Sequence, residues 1–459
     1  MLRDDIICAL STPQGIGALA IIRVSGKNSH SIITPFFNSK RKSESGYNSH
    51  QAYFGNFYDK DEQIDEVLIT FFDEGKSFTG EESIEISCHG SRFIVQRIIE
   101  CLLQTGARLA DPGEYTMRAF MNGRMDLAQS EAVADLIHAE NKTMHDVAMR
   151  QLKGGLSSEI DSFRDELVHF ASMIELELDF SEEDVEFASR RQLLKMLESL
   201  KTNVQSLLDS FKYGNAIKNG IATAILGAPN AGKSTLLNAL LGEDRAIVSD
   251  IAGTTRDTIE DSFNYAGLSY RLIDTAGIRN TEDSIEKIGI QKALKAAENA
   301  DVIFYLIDAT SPEKDIEKRI ENIKRCAPQA KLFICLNKTD KEETTTILDL
   351  FKEFEYDIYQ ISAKSKKGLN SLLEALKEAT TWATHSSSQT IVTNARHADA
   401  LRRTSEALDD SINAVEMNIP GDLLAQDLRL ALDGLGEITG TISTEELLSN
   451  IFSKFCIGK

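Results

Sequence analysis

The sequence predicts a multidomain chain of α+β and α/β type, and three patterns carry that reading. Up to about residue 118, short apolar runs with period-two alternation mix with helical spacing, as in a mixed α/β unit. Apolar residues then recur at helical spacing in two stretches, one ending near residue 213 and one starting near residue 395. Between them, the strand-like run 222–226 leads into Gly227-Ala228-Pro229-Asn230-Ala231-Gly232-Lys233-Ser234 and then into the helix-like segment 235–241. That is the order of an α/β phosphate-binding unit. A length of 459 residues suits two or three domains with packed cores.

In the N-terminal part, residues 18–24, 66–72 and 84–88 read as strands and 91–105 as a helix. After Pro112 the texture turns helical, with Leu127, Val133, Ile137, Phe163, Leu167, Phe170, Ile174 and Leu178 marking an apolar face, and it stays so to about Tyr213. Residues 395–432 resume it through Leu424, Leu428 and Ala431, and serines 386–388 mark a linker. Pattern alone allows one helical domain interrupted by the phosphate-binding unit, or two separate helical domains. Gly434-Leu435-Gly436 followed by Gly440 has no strand before it, so it reads as a helix cap and turn rather than a dinucleotide fingerprint.

Composition narrows the function classes. No run of about 18 apolar residues occurs, and the acidic start lacks the layout of a signal peptide, which predicts a soluble, cytoplasmic chain without membrane association. The six cysteines show no paired spacing, so neither a zinc site nor a disulfide framework is expected. A net charge of −21 speaks against broad, autonomous nucleic-acid binding, which needs clustered Lys and Arg. Residues 175–186 carry Asp and Glu with no Lys or Arg, the pattern of a solvated acidic helix end or of a docking surface for a basic partner.

The phosphate-binding unit carries a nucleotide chemistry in order. Backbone N–H groups around Asn230, Ala231 and Gly232 cradle phosphate oxygens at a helix N-terminus, Lys233 reaches the β- and γ-phosphates, and the hydroxyl of Ser234, followed by Thr235, ligates Mg²⁺. Asp274-Thr275-Ala276-Gly277 follows a strand-like run, placing a carboxylate near Mg²⁺ and the Gly277 N–H near the γ-phosphate. Asn337-Lys338-Thr339-Asp340 supplies, on Asp340, an acceptor pair matching the N1–H and N2 donors of guanine, which selects GTP over ATP. Ser362-Ala363-Lys364 has the place of a turn whose Ala363 N–H meets the base oxygen. Thr255, within Gly253-Thr254-Thr255-Arg256-Asp257, completes the Mg²⁺ shell only while a γ-phosphate is present and so marks a switch. Ile278 follows Gly277 where a water-orienting glutamine is familiar, leaving Arg256 and the carboxylates of 282–286 as alternative organisers of hydrolysis.

The loop with Asn230, the 253–257 switch, the head 15–26, the segment Asp111-Pro112-Gly113-Glu114-Tyr115-Thr116 and the ending Cys456-Ile457-Gly458-Lys459 together resemble the MnmE (TrmE) family of tRNA-modification GTPases from end to end. The resemblance implies an N-terminal mixed α/β domain (1–118) for folate binding and dimerisation. It further implies a discontinuous helical domain (119–215 and 384–459) and an inserted Ras-like P-loop GTPase domain (216–383). It implies a homodimer working with a flavin-dependent partner, MnmG, to place an aminomethyl-type group on C5 of the wobble uridine of certain tRNAs. The one-carbon donor would be a tetrahydrofolate, 5-formyl- or 5,10-methylene-tetrahydrofolate.

The same resemblance assigns roles residue by residue. Potassium would be held by Asn230, Ser249, Ile251 and Thr254, doing the work of an arginine finger. Glu286 takes the place of the water-orienting carboxylate, which demotes Arg256. Arg23, Glu81, Arg124 and Lys459 map onto folate contacts, Arg124 replacing an expected lysine; one acid with three bases suits a pterin and its glutamate tail. Cys456 is either a catalytic thiol or a small apolar packing residue. The rival reading, a non-catalytic GTP switch in ribosome assembly, wants a basic RNA-binding appendage, whereas this chain ends in an acidic helical segment. A membrane-associated scaffold lacks a basic amphipathic helix or lipidation pattern here.

Overall fold

The structure, a computed structural model, describes residues 5–39, 47–179, 189–242, 261–273, 294–311, 315–341, 357–381 and 390–458. Alternating apolar residues build the N-terminal sheet. Its strands are β1 (Ile7–Leu10), β2 (Leu19–Ser25), β3 (Phe37–Asn38), β4 (Gln51–Asp59), β5 (Glu62–Phe72), β6 (Ser83–His89) and β7 (Arg108–Leu109), in the order β3-β4-β5-β6-β2-β1-β7. All pairings are antiparallel except β1 with β7. Ala20, Ile22 and Val24 of β2 point into a core shared with Ile69, Ile84, Ile86 and the inner face of helix α2 (Arg92–Gln104). A short helix, α1 (Ser29–Ile32), precedes β3. The strands and helix expected here are present with shifts of a few residues; β5 starts four residues earlier, at Glu62, because it continues a hairpin from β4.

The helices that follow are α3 (Glu114–Met121), α4 (Leu127–Ile137), α5 (Lys142–Leu152), α6 (Gly155–Asp179) and α7 (Arg190–Asn219). α7 runs six residues past Tyr213, and Gly220 (φ +78°) ends it directly before the next strand. Bounds placed at residues 118 and 215 therefore fall inside the continuous helices α3 and α7. A single hydrophobic core joins Ile160, Leu167, Leu197 and Leu200 from this stretch with Leu401, Leu408, Leu428 and Leu435 from the far side of the phosphate-binding unit.

The α/β unit itself comprises β8 (Ile221–Gly227), α8 (Lys233–Leu241), β9 (Ser262–Tyr265), β10 (Leu268–Leu272), β11 (Val302–Asp308), α9 (Ile316–Cys326), β12 (Lys331–Asn337), β13 (Ile358–Gln360) and α10 (Leu369–Ala379). The sheet order is β13-β12-β11-β8-β10-β9, parallel except for the β9–β10 hairpin. Phe304 and Leu306 pack on one face, Ile303, Tyr305 and Ile307 on the other. Burial on both faces is why these strands read as unbroken apolar runs.

Among the described residues, three helices follow: α11 (Ala395–Glu416), α12 (Gly421–Thr439) and α13 (Glu445–Phe452). Gly434 and Gly436 lie inside α12 and are not the cap read from the sequence; the cap is Gly440, at φ +83°. A side chain at Gly434 would put its Cβ 2.4 Å from the Thr404 hydroxyl of α11, so close packing of α11 on α12 explains that glycine.

The two stretches of the helical core are fastened by a buried ionic cluster. Glu131 of α4 accepts from Arg396 Nη2 and His397 Nε2 of α11, each at 2.7 Å, and from Asn394 Nδ2 at 2.8 Å. Burial alone would raise the Glu131 carboxyl, but pairing with His397 and Arg396 outweighs it and lowers the pKa from 4.5 to about 2. A carboxylate depressed on folding stabilises above its unfolded value, and that contribution is lost as pH falls from about 4.5 towards 2. Thermal unfolding measured across this range should show the helical domain losing stability on the order of 3 kcal/mol, and Glu131→Gln should flatten that part of the profile.

Candidate functional site

β8 lies where the strand order turns, with β11 on one side and β10 on the other, so the loop at its carboxyl end opens into the crevice where open α/β sheets bind ligands. Residues 228–232 form that loop, and α8 begins at Lys233 with Ser234 and Thr235 exposed in its first turn. Gly232 has φ +99°, and a Cβ there would sit 2.1 Å from Asn337 Nδ2, so only glycine leaves the cradle open. Lys233 Nζ donates to the Gly227 and Ala228 carbonyls at 2.8 and 2.7 Å, holding the ammonium across the loop. Asn230 is exposed with φ +66°. Backbone donors, an ammonium and a helix N-terminus in one concavity fit a polyphosphate with its Mg²⁺.

Asn337 brings the separate motifs together. Its Nδ2 donates to the Ala231 carbonyl at 2.8 Å and its Oδ1 accepts from the Ala363 N–H at 2.9 Å, tying the phosphate loop, the 337–340 turn and the 362–364 turn to one buried side chain. Thr339 adds bonds from its N–H and hydroxyl to the Ile361 carbonyl, at 3.2 and 3.0 Å. A hydrogen bond from Ser362 holds the Asp340 carboxyl below its usual range, with its own N–H, Lys341 and Lys364 reinforcing it. Asp340 is thus an exposed, ionised acceptor pair beside the crevice, while Lys338 and Lys364 flank it. Ser249, Ile251, Thr254, Thr255, Arg256, Asp274, Thr275, Ala276, Gly277, Glu286 and Lys459 lie outside the described residues.

In the N-terminal domain, Arg23, Glu81 and Arg124 gather around residues 75–81. Arg23 donates to Glu85 Oε1 at 2.7 and 3.1 Å and stands over the Phe78 and Tyr115 rings. Glu81 accepts from Ser25 at 2.8 Å and from buried Arg118 at 3.2 Å. Arg124, exposed, packs its methylenes over Gly80 and donates to the Gly75 carbonyl. The C-terminal segment folds back beside β1: the Gly458 carbonyl accepts from the Ser11 hydroxyl at 3.1 Å, and the Cys456 carbonyl from the Gly113 N–H at 3.4 Å. The Cys456 side chain is exposed, which removes the packing role weighed for it.

Two family models match the chain: "MnmE helical domain" over residues 127–456 and "GTP-binding protein TrmE N-terminus" over residues 6–124. The chain belongs to the MnmE family. Relatives named "tRNA modification GTPase MnmE" match it throughout: one from Cytophaga hutchinsonii is 50% identical over 99% of this chain and 98% of its own. Those from Christiangramia forsetii and Flavobacterium johnsoniae are 48% and 47% identical, with full coverage of both chains.

Two groups of this MnmE-family chain emerge only from the structure. Asp5, Arg108, Glu114 and Arg118 form a network around the 1%-exposed Arg118, with Arg118 bonded to Asp5 at 2.6 Å and Glu114 at 2.9 Å. Its signal was present, since Glu114 and Arg118 stand four apart on α3 beside the 111–116 segment. The other is Asp308, at the carboxyl end of β11, which pairs with Lys338. Asp340→Asn should cut kcat/KM for GTP about a hundredfold, by replacing an acceptor with a donor opposite guanine, and improve xanthosine triphosphate. Steady-state hydrolysis of both nucleotides measures this; unchanged selectivity would remove Asp340 from base recognition.

Proposed function

We propose that this chain is a K⁺-activated GTPase that acts in tRNA modification. In this reading it works as a homodimer with an MnmG-type, FAD-dependent partner in the cytoplasm, placing an aminomethyl-type group on C5 of the wobble uridine. The observation that carries the nucleotide part is the Asn337 side chain bridging the phosphate loop and both base-facing turns. Lys233 would hold the β- and γ-phosphates, Ser234 and Thr255 would hold Mg²⁺, Gly277 would meet the γ-phosphate, and Glu286 would orient the attacking water. Asn230, Ser249, Ile251 and Thr254 would hold K⁺, which when bound supplies positive charge between the β- and γ-phosphates.

The N-terminal domain is proposed to take a tetrahydrofolate derivative through Arg23, Glu81, Arg124 and Lys459. The clustering of the first three on the 75–81 segment supports this, as does the return of the C-terminal segment to Ser11, which brings the exposed Cys456 to the same domain. Tetrahydrofolate supplies the one-carbon unit when bound. Dimerisation is supported by an apolar outer sheet face, where Phe54 and Leu68 pair across β4 and β5 yet remain 62% and 44% exposed. Among the described residues, no helix is long and apolar enough to cross a membrane. The proposed bounds remain 1–118, 119–215, 216–383 and 384–459, with helices α3 and α7 running through the first two junctions.

GTP hydrolysis should be faster in K⁺ than in Na⁺ buffer at equal ionic strength, by about tenfold or more, and 5-formyltetrahydrofolate should bind the same preparation at equilibrium. Equal rates in the two cations would discard the potassium element, and absent folate binding would discard the one-carbon element.

A further inference from the structure

We infer that Asp308 is a positioning residue for guanine-nucleotide retention, acting through Lys338. β11 and β12 pair in register at Asp308 and Asn337, and the Ala309 N–H donates to the Asn337 carbonyl at 3.0 Å. The base-reading turn therefore starts directly opposite the end of β11. Its second residue, Lys338, has φ +69°, a left-handed backbone that a side chain other than glycine adopts only when its surroundings hold it there.

The turn's backbone is bonded through the Lys341 N–H to the Lys338 carbonyl, and Asp308 anchors the lysine at its ammonium end. Its Oδ2 accepts from Lys338 Nζ at 2.5 Å, and its Oδ1 accepts from the Thr310 N–H at 2.9 Å and the Thr310 hydroxyl at 2.7 Å. The carboxylate is pinned on one oxygen and engaged by the lysine on the other. The Asp308 and Lys338 side chains are 15% and 29% exposed, so water screens the pair less than at an open surface. Burial opposes the charged form of Asp308, but the Lys338 and Thr310 hydrogen bonds outweigh it and lower its pKa. On either side of Lys338 stand Asn337, which ties the turn to the phosphate loop, and Asp340, which faces the base. Fixing the lysine from β11 fixes the spacing between those two contacts.

This inference rests on the nucleotide site described above, and one experiment separates the two. Release of methylanthraniloyl-GDP from the full-length chain is followed by fluorescence for the wild type, Asp308→Asn, Lys338→Met and the double variant. Asp308→Asn is expected to speed release about tenfold and, in steady-state GTP hydrolysis by the same variants, to raise KM and leave kcat unchanged. In the Lys338→Met background the same change is expected to add nothing. Wild-type protein that fails to retain the probe would sink the nucleotide-site reading itself. Retention by the wild type with unchanged release from Asp308→Asn would overturn only the positioning role, and so would an equal acceleration in the Lys338→Met background. Should Asp308→Asn not fold, Thr310→Val, which removes one bond to the carboxylate, is expected to speed release about threefold; no change there overturns the inference.

Discussion

The carboxylate of Glu131 is almost wholly out of water, and it stays ionised because Arg396, His397 and Asn394 converge on it. Its partners lie more than 260 residues away in sequence, so the bond can form only after the whole α/β unit has been accommodated between them. A buried charge of this kind is costly when any partner is missing, which makes it an all-or-nothing fastening. Arg396 extends the fastening to the Glu437 and Ile438 carbonyls near the end of α12. The orientation of the C-terminal helices, and of the segment that returns to Ser11, follows from that joint.

A second joint lies where the α/β unit enters and leaves the helical domain. Ser210 of α7 accepts from the Val392 N–H at 3.0 Å, and Gln151 of α5 donates to the Ile391 carbonyl at 2.9 Å. The outgoing strand of chain is thus bonded to the incoming helix. Lys218 pairs with Asp135 at 2.8 Å close by. The helical domain holds both connections with buried polar contacts, and the nucleotide crevice opens away from them at the carboxyl ends of the strands.

Much of this was legible in the residues. The phosphate loop announces itself because its chemistry demands glycine and lysine at fixed spacing, and β8, the strand-like run 222–226, because burial on both faces leaves an unbroken apolar run. α7 continues past Tyr213 through Gly214, a glycine that lies within the helix because the chain at Val392 packs directly against it. Gly434 and Gly436 misled for the same reason. A glycine that makes room for a neighbouring backbone or hydroxyl cannot be told from a cap without knowing the neighbour. Asp308 is silent in the sequence because Lys338, which it engages, lies on another element to which no local pattern points, whereas Arg118 shows only the i, i+4 spacing to Glu114 on α3 and not its bonds to Asp5 and Glu81.

α7 also has a mechanical aspect. It is a 30-residue helix, about 45 Å long at 1.5 Å per residue, and only Gly220 separates it from the strand that carries the phosphate loop. The helix is a lever with its fulcrum at one glycine. A tilt of about 10° there, well within the freedom of a single residue of that type, displaces the far end at Arg190 by roughly 8 Å over that length. Because Leu193, Leu197, Leu200, Val204 and Leu207 bury α7 in the helical core along its length, such a tilt would carry the helical domain with it as one body instead of bending the helix.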